Sequence, residues 1–234
     1  MPVLIVGDVH GDLERLFAAL EPYPPADWRT VFLGDLVDGG AFGAGALRYA
    51  RDRPNSELLL GNHEVVMLWA LRDPSRLRYW NGMGGQPHDL EELRRHRDLV
   101  EWLRTRPLLA RLPDGTLAQH TDTDAYGRLG ASVGEINARA ADLLHDGGEA
   151  ELNDVLQAGG VFRRSEPRLE AWLDAHGARR LVHGHTPHQQ RGPDVYAGGK
   201  AINFDGRFSR FYGARYGRGR GVEATVGPLP PLVD

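Results

Sequence analysis

The chain has 234 residues, a formal net charge of −4, 41% hydrophobic residues and 26% charged residues. This length buries a substantial core, most simply as one domain over residues 1–234, and the acidic balance argues against a protein built mainly to bind nucleic acid. The absence of cysteine excludes disulfides, thiolate metal sites and cysteine nucleophiles. No apolar run is long enough for a signal peptide or a membrane span, so we expect a cytoplasmic protein with no membrane partner.

Three short apolar runs near the N-terminus each end in a glycine that is followed by polar side chains. They lead into Gly7-Asp8-Val9-His10-Gly11, Gly34-Asp35-Leu36-Val37-Asp38 and Gly61-Asn62-His63-Glu64. Such runs predict buried strands that end in tight turns, and the helical spacing between them predicts an α/β architecture. Because ligands collect beyond the carboxyl ends of strands in such sheets, we expect the polar clusters to form one site.

The remainder of the chain extends this pattern after one interruption. Residues 73–107 break the alternation, and we interpret them as a cap or insertion over the site. A helix is predicted over residues 65–72, and two more over residues 133–144 and 167–175. Strands are predicted before His120 and before His183-Gly184-His185-Thr186-Pro187, and the part beyond Ala201 has the pattern of short strands and turns.

The polar side chains at these strand ends are the ligands that hard divalent cations prefer. The candidates are Asp8, His10, Asp35, Asn62, His120 and either His183 or His185. Six such ligands can hold two metal ions if one carboxylate bridges them. In two-metal hydrolases, a water shared by the ions becomes a hydroxide placed for in-line attack on phosphorus. Turn chemistry is the alternative explanation for the acids and Asn62, but it does not account for the accompanying histidines.

Taken together, the five motifs resemble those of the phosphoprotein phosphatase branch of the calcineurin-like metallophosphoesterases. They are Gly-Asp-x-His-Gly, Gly-Asp-x-x-Asp, Gly-Asn-His-Glu, His120 and the Gly-His-Thr-Pro at Gly184–Pro187. The resemblance spans nearly the whole chain, and small bacterial protein phosphatases and diadenosine tetraphosphatases are the most similar members. It implies a four-layer α/β/β/α fold, in which helices flank a central β-sandwich, and a site with two divalent metal ions. Manganese is the metal expected first, with iron, zinc or cobalt as alternatives.

The resemblance also implies a role for each matching residue. Asp8 and His10 would bind the first metal, Asp35 would bridge, and Asn62, His120 and His185 would bind the second metal. Asn62 would also contact the substrate. His63 would be the general acid that protonates the leaving oxygen, and Asp38 would hold this imidazole in the required tautomer. His183 would be a neighbour of the site, and Glu64 would cap the helix that follows it.

One position departs from the family pattern. The family places an arginine that grips the substrate phosphate directly after the second aspartate of Gly-Asp-x-x-Asp, and here that position is Gly39. Loss of a charge-assisted hydrogen bond worth roughly 1.5–3 kcal/mol weakens phosphate binding unless another group replaces it. Phe162-Arg163-Arg164 loosely resembles a second arginine pattern of the family, so Arg164 is the candidate for substrate binding and Arg163 the reserve.

Two arginine-rich stretches remain open to two interpretations each. The stretch Arg94-Arg95-His96-Arg97 fits a solvated helix face better than a binding patch. Between Arg207 and Arg220 the chain has five arginines interleaved with aromatic residues. This segment is either a hairpin with its arginines outward or a clamp for phosphate that compensates for Gly39.

Three functions are therefore compared. The first is a metal-dependent phosphomonoesterase, plausibly acting on phosphoserine or phosphothreonine in proteins. The second is a nucleotide hydrolase of the diadenosine tetraphosphatase or phosphodiesterase type, suggested by Gly39 and the arginine-rich segment. The third is a non-catalytic metal-binding module, which the complete ligand set and His63 argue against. In the first two, the partner is a phosphorylated substrate, either a phosphoprotein or a nucleotide.

Overall fold

Two β-sheets flanked by helices form the protein in the computed structural model, which describes residues 1–211 and 221–232. In chain order the strands are β1 (Val3–Val6), β2 (Arg29–Phe32), β3 (Ser56–Leu58), β4 (Leu109–Arg111), β5 (Thr116–Gln119), β6 (Arg180–His183), β7 (Asp194–Tyr196), β8 (Ala201–Asn203) and β9 (Val226–Pro228). The first sheet has the order β3-β2-β1-β9, and the second has the order β4-β5-β6-β8-β7.

Parallel strands lie at the centre of both sheets. In the first sheet, β1, β2 and β3 are parallel and β9 pairs antiparallel with β1. In the second sheet, β5, β6 and β8 are parallel, and β4 and β7 are antiparallel edge strands. Each parallel strand therefore delivers its carboxyl end to the same edge of its sheet, where the motifs follow.

The two sheets pack face to face, as the alternation of side chains along the strands requires. Ile5 and Val31 of the first sheet join Val182 and Ile202 of the second in one buried apolar cluster. The neighbouring side chains Leu4, Val6 and Phe32 point the other way, into the larger cluster that includes the helices. A β-sandwich flanked by helices is thus confirmed.

The helices are α1 (Leu13–Leu20), α2 (Gly43–Asp52), α3 (Asn62–Arg72), α4 (Leu77–Gly82), α5 (Pro87–Arg95), α6 (Arg97–Arg104), α7 (Val133–Asp146), α8 (Glu149–Leu156), α9 (Val161–Arg164), α10 (Glu166–Ala175) and α11 (Val222–Thr225). Helix α2 contacts β3, α7 contacts β4, and α3 packs against α8. Within the described part of the chain, no helix combines the length and apolar character that a membrane crossing requires.

Helix boundaries differ from the sequence expectations by a few residues. Helix α3 begins at Asn62 rather than at residue 65, because the Glu64 side chain accepts the backbone N–H of the N-cap residue Gly61. Helix α7 continues to Asp146 and ends at Gly147, whose φ of 95° suits a helix C-terminus. The early start of α3 matters for the site, since it places Asn62 and His63 in the first helical turn.

Residues 73–107 form helices α4, α5 and α6, which lie against the motif loops. The indole Nε1 of Trp80 in α4 donates to Asp38 Oδ1 at 2.8 Å, and the backbone N–H of Gly39 donates to the carbonyl of Gly84 at 2.8 Å. Asp89 in α5 accepts the backbone N–H of Ala44 at the start of α2. This segment is therefore attached to the loop between β2 and α2.

Candidate dinuclear metal site

The polar motifs of both sheets meet at one site. Asp8, Asp35 and Asn62 follow the parallel strands β1, β2 and β3, while His120 and His185 follow β5 and β6. The parallel strands of the two packed sheets bring these five residues together. For example, the N–H of His185 donates to Asp8 Oδ1, although the two residues are 177 positions apart in the sequence. The predicted convergence of distant motifs is therefore present in the structure.

One group of ligand atoms surrounds Asn62. Its Oδ1 lies 2.9 Å from His185 Nδ1 and 3.1 Å from His120 Nε2, and the two imidazole nitrogens are 3.2 Å apart. His120 Nε2 is also 3.4 Å from Asp35 Oδ1. These four side chains are the ones predicted for the second metal.

A second group lies on the other side of Asp35. His10 Nε2 is 3.8 Å from Asp8 Oδ2, and His63 Nε2 is 3.8 Å from Asp35 Oδ2. The rings of His10 and His63 meet edge to face with centroids 4.8 Å apart. Asp35 thus offers one oxygen to each group, as a bridging carboxylate does.

These distances fit a pair of metal ions. With metal–ligand bonds of about 2.1 Å, two ligands of one ion lie about 3.0–3.8 Å apart for angles of roughly 90–130° at the metal. The separations of 2.9–3.8 Å around Asp35 and Asn62 match this range. Asp8 Oδ2 is buried and has no hydrogen-bond partner among residues 1–211 and 221–232, an arrangement that a cation relieves. The chain therefore has a donor set suited to two hard divalent ions.

Hydrogen bonds to backbone carbonyls set the orientation of two of the imidazoles. His10 Nδ1 donates to the carbonyl of Val37 at 3.2 Å, and His120 Nδ1 donates to the carbonyl of Leu33 at 2.9 Å. In both rings the proton lies on Nδ1, so Nε2 presents its lone pair toward the carboxylates. Fixing the tautomer through the second nitrogen is the usual support of a metal-binding histidine.

The structure distinguishes His183 from His185 as candidate metal ligands. His183 Nδ1 donates to the carbonyl of Gly184 at 2.9 Å, and its Nε2 accepts the hydroxyl of Tyr196 at 2.9 Å. Both nitrogens of His183 are therefore occupied, whereas His185 Nδ1 faces Asn62 and His120. Of the two histidines left open by spacing alone, the geometry favours His185 as the ligand.

His63 forms a pair with Asp38 at the edge of the metal ligands. Its Nδ1 donates to Asp38 Oδ2 at 2.8 Å, and the other oxygen of this carboxylate is held by Trp80. Burial disfavours the charged imidazolium, but Asp35 and the bond to Asp38 outweigh it and raise the pKa of His63 to about 9. Without bound metal, His63 is thus protonated near neutral pH, and it lines the cavity, where a general acid must lie.

Two of the expected histidine ligands have the opposite tendency, whereas at His120 the nearby Asp35 outweighs burial and raises the pKa. Burial, together with the neighbouring imidazole of His63, lowers the pKa of His10 to about 3, and burial with His120 lowers the pKa of His185 to about 3. Neutral imidazoles are the form that binds metals. Burial and the nearby carboxylates of Asp205 and Asp35 raise the pKa of Asp8.

The site is built on strained backbone. Four of the seven non-glycine residues with positive φ in the described chain belong to the predicted site, namely His10 (47°), Asp35 (55°), Asp38 (66°) and His185 (65°). The left-handed region is costly for residues with a Cβ, and such residues concentrate at functional sites. Here the turns after the strands place these side chains into the cavity.

Glycine is required at two motif positions because a carboxylate lies very close to the backbone at each of them. A Cβ on Gly61 would lie 2.1 Å from Asp35 Oδ1, and one on Gly184 would lie 2.2 Å from Asp8 Oδ1. Both carboxylates therefore sit against backbone that only glycine permits, which explains the glycine of Gly-Asn-His-Glu and of Gly-His-Thr-Pro.

Glu64 does more than cap helix α3. Its buried carboxylate accepts the backbone N–H groups of Asp35 and Gly61 at Oε2 (2.8 and 2.9 Å) and those of Leu36 and Val37 at Oε1 (2.7 and 3.3 Å). It thereby ties the loop that carries the bridging Asp35 to the start of α3. The sequence showed only the local capping pattern, because the other three partners lie 27–29 residues away.

The arginines proposed for substrate binding lie outside the cavity wall. Arg164 donates from Nη2 to the carbonyl of Gly159 at 3.1 Å, and Arg163 pairs with Asp194 and lies over the ring of Tyr196. In the described chain, the cavity is lined by His10, Gly39, Asn62, His63, Gly82, Met83, Gly84, Gln157, His185 and Phe211. A substrate role for Arg164 stays a prediction.

Sequence reasoning missed two groups at the site. Asp205, which follows β8, is fully buried and contributes to the raised pKa of Asp8; its position after an apolar strand was the available signal. Trp80 contacts Asp38 from a distant segment, and no local pattern identified it. Phe211 belongs to the arginine- and aromatic-rich segment considered as a clamp, and it lines the cavity. The remaining part of the predicted clamp, residues 212–220, lies outside the described residues.

Comparison with known proteins places the chain in a family. A family model described as calcineurin-like phosphoesterase matches residues 1–189, so the chain belongs to this family. Members of this family typically depend on two metal ions, and the candidate metal-binding residues of this chain lie close together.

Curated relatives include two enzymes named bis(5′-nucleosyl)-tetraphosphatase, symmetrical. The one from Methylococcus capsulatus is 35% identical over 115 residues, which cover 47% of this chain and 40% of the relative. The one from Actinobacillus pleuropneumoniae serotype 5b is 33% identical over 124 residues, covering 51% of this chain and 44% of the relative. The matched region is thus less than half the length of these relatives.

Solved structures share the fold at low identity. The cold-active protein-tyrosine phosphatase of a psychrophilic Shewanella species superposes with a TM-score of 0.69 at 20% identity, covering 97% of this chain and 80% of that chain. A protein serine/threonine phosphatase from Saccharomyces cerevisiae gives 0.61 at 16% identity, covering 100% and 81%. These likenesses confirm the metallophosphoesterase fold.

Proposed function

We propose that the protein hydrolyses a phosphoanhydride bond of a dinucleoside polyphosphate, with two divalent metal ions as cofactors. The observation that carries this proposal is the absence of lysine and arginine from the described lining of the cavity beside the candidate metal ligands. No lysine or arginine is among its lining residues in the described chain, and the position of the family arginine is Gly39.

A lining without lysine or arginine favours one class of phosphate over another. A phosphomonoester presents a dianion with three terminal oxygens, and an arginine that grips them contributes roughly 1.5–3 kcal/mol. An internal phosphate of a polyphosphate carries one negative charge and is bound through the groups on both of its sides. The names of the curated relatives agree with the second class. The phosphomonoesterase preferred from the sequence is therefore the second candidate.

The backbone at Gly39 adds to this argument. Gly39 has a φ of 78°, and its N–H is bonded to the carbonyl of Gly84. An arginine in this conformation is strained, so the loop as it stands is suited to glycine.

The side chains of the site would have two roles, metal binding and proton donation. Asp8, His10 and Asp35 would hold one ion, and Asp35, Asn62, His120 and His185 the other. When bound, such a pair of ions polarises the phosphoryl group and lowers the pKa of water. His63 holds a proton on Nε2 for the leaving phosphate oxygen, and Asp38 keeps Nδ1 protonated and the ring in place.

We further propose that residues 73–107 cap this site within one domain over residues 1–234. The contacts that support the cap are those of Trp80 with Asp38 and of Gly84 with Gly39. Gly82, Met83 and Gly84 also line the cavity itself. A cap of this kind excludes water from the substrate while leaving the metal ligands on the sheets unchanged.

A substrate panel tests the function. The metal-free protein is loaded with manganese and assayed on diadenosine tetraphosphate, a phosphothreonine peptide, p-nitrophenyl phosphate and bis-p-nitrophenyl phosphate at equal concentrations. We expect the highest kcat/KM for diadenosine tetraphosphate, with adenosine diphosphate as product. A higher kcat/KM for the phosphopeptide would establish the phosphomonoesterase instead, and a metal-loaded protein inert on all four would leave the non-catalytic module.

A further inference from the structure

An exposed aromatic side chain lies on the wall of the metal-site cavity. Phe211 lines the cavity of about 520 Å³ together with His10, His63 and His185. Its ring is 46% exposed, while Phe204 and Phe208, earlier in the same segment, are fully buried. The segment thus places two phenylalanines in the core and presents the third to the cavity.

The backbone of Phe211 is attached directly to the first metal-binding loop. Ser209 Oγ donates to the carbonyl of His10 at 3.2 Å and accepts the backbone N–H of Phe211 at 3.1 Å. The N–H of Arg210 donates to Asp12 Oδ2 at 2.8 Å. Phe211 is therefore held at a fixed distance from His10, as a substrate-positioning residue has to be.

Arg210 supports the aromatic ring rather than acting as the missing phosphate ligand. Its guanidinium makes a two-point contact with the Asp12 carboxylate, with a shortest separation of 2.7 Å, and a further contact with Glu14 at 3.0 Å. Its Cζ lies 5.6 Å from the centroid of the Phe211 ring. The arginine thus lies against the ring of a half-exposed phenylalanine that lines the cavity.

The cavity extends beyond the space that one phosphate needs. Its wall runs from Phe211, beside His10, to Gln157 at the end of α8, where Gln157 Nε2 donates to the hydroxyl of Tyr79 at 2.6 Å. Its volume lies within the ~300–1,000 Å³ that sites for small organic ligands occupy. A substrate with a flat apolar group attached to its phosphates fits this wall better than inorganic phosphate does.

We propose that Phe211 is the stacking platform for one nucleobase of the substrate, and this proposal rests on the proposed hydrolysis of dinucleoside polyphosphates. A purine stacked on the ring adds affinity without any hydrogen bond to the base edge, so the site tolerates different bases. The stacked base compensates for the arginine absent at Gly39, because it anchors the nucleoside while the metal ions hold the phosphates.

The test compares F211A and F211W with wild type and with F17A as the matched control. Phe17 has a similar exposure of 49% but lies on α1 and is not among the described cavity-lining residues. For each protein, KM and kcat are measured for diadenosine tetraphosphate. The inhibition constant is measured for inorganic tripolyphosphate, which carries phosphates but no base.

We expect F211A to raise KM for the dinucleotide about tenfold, the loss of one modest stacking contact, with kcat and the tripolyphosphate inhibition constant unchanged. F211W should keep the wild-type KM, and its added indole fluorescence should be quenched by the dinucleotide but not by tripolyphosphate. F17A should equal wild type in every measurement.

Other outcomes are equally informative. If wild type turns over the dinucleotide but F211A leaves its KM unchanged, the stacking proposal fails and the proposed function stands. If F211A weakens the dinucleotide and tripolyphosphate equally, Phe211 has a structural role and stacking is refuted. If wild type does not hydrolyse dinucleotides at all, the proposed function is refuted, and the stacking proposal that rests on it is refuted as well.

Discussion

Replacing Glu64 with glutamine tests how the bridging carboxylate is held in place. The two carboxylate oxygens each accept two backbone N–H groups, Asp35 and Gly61 at one oxygen, Leu36 and Val37 at the other. Glutamine turns one acceptor into an NH₂ donor, so in either orientation two buried N–H groups face a donor. At roughly 1–3 kcal/mol for each unsatisfied donor, E64Q should lower the free energy of unfolding by about 2–6 kcal/mol.

The assay is urea denaturation of the metal-free protein with a chelator present. It is run at pH 8, because burial and the nearby Asp35 raise the pKa of Glu64 to about 7 and the group must be ionised. The matched control is E57Q, which removes the ion pair of Glu57 with Arg29 at the protein surface (2.7 Å) and should change stability by less than about 1 kcal/mol.

A second readout separates positioning from general stability. Since the Glu64 carboxylate fixes the backbone of Asp35, E64Q protein that is still folded should bind fewer than two equivalents of manganese and lose most of its activity. If E64Q unfolds within about 1 kcal/mol of wild type and binds two equivalents, the four hydrogen bonds do not hold the loop as described, and this reasoning is refuted.

Three further substitutions address the chemistry. H63N should lower kcat by about 10²–10⁴-fold on substrates with a poor leaving group while two manganese ions remain bound, and unchanged turnover would exclude His63 as the acid. D35N should reduce bound manganese below two equivalents and abolish activity, and full metal content measured by atomic absorption would contradict the bridge. G39R should raise kcat/KM for p-nitrophenyl phosphate about tenfold or more, because it restores a charged phosphate ligand. This gain should exceed the cost of about 1 kcal/mol of backbone strain at φ 78°. An unchanged or lower value would show that the missing arginine does not limit monoester activity.

The convergence of the candidate metal ligands was predictable because it depends on a rule about sheets. Asp8, Asp35 and Asn62 each follow an apolar run, and parallel strands must deliver such residues to one edge. Spacing alone left His183 and His185 open, and the resemblance to the family selected His185. The structure adds a physical reason, because the hydroxyl of Tyr196 bonds to His183. Spacing along the chain cannot show which nitrogen already has a partner.

Contacts between distant segments could not be predicted from the sequence for the same reason. The carboxylate of Asp38 is held by Trp80, 42 residues later, and Phe211 reaches the cavity through Ser209 and the carbonyl of His10, 199 residues away from Ser209. None of these residues stands in a periodic pattern that marks a site. The substrate-binding groups were accordingly the least predictable part, and Arg164 was found on the carbonyl of Gly159 rather than on the cavity wall.

Anomalous X-ray diffraction at the manganese edge, from crystals of the manganese-loaded protein, tests the central claim most directly. The structure predicts two anomalous peaks roughly 3.5–4 Å apart, with one oxygen of Asp35 directed to each ion, His10 at the first and His120 at the second. A single peak, or two peaks without Asp35 between them, would contradict the account of a dinuclear site.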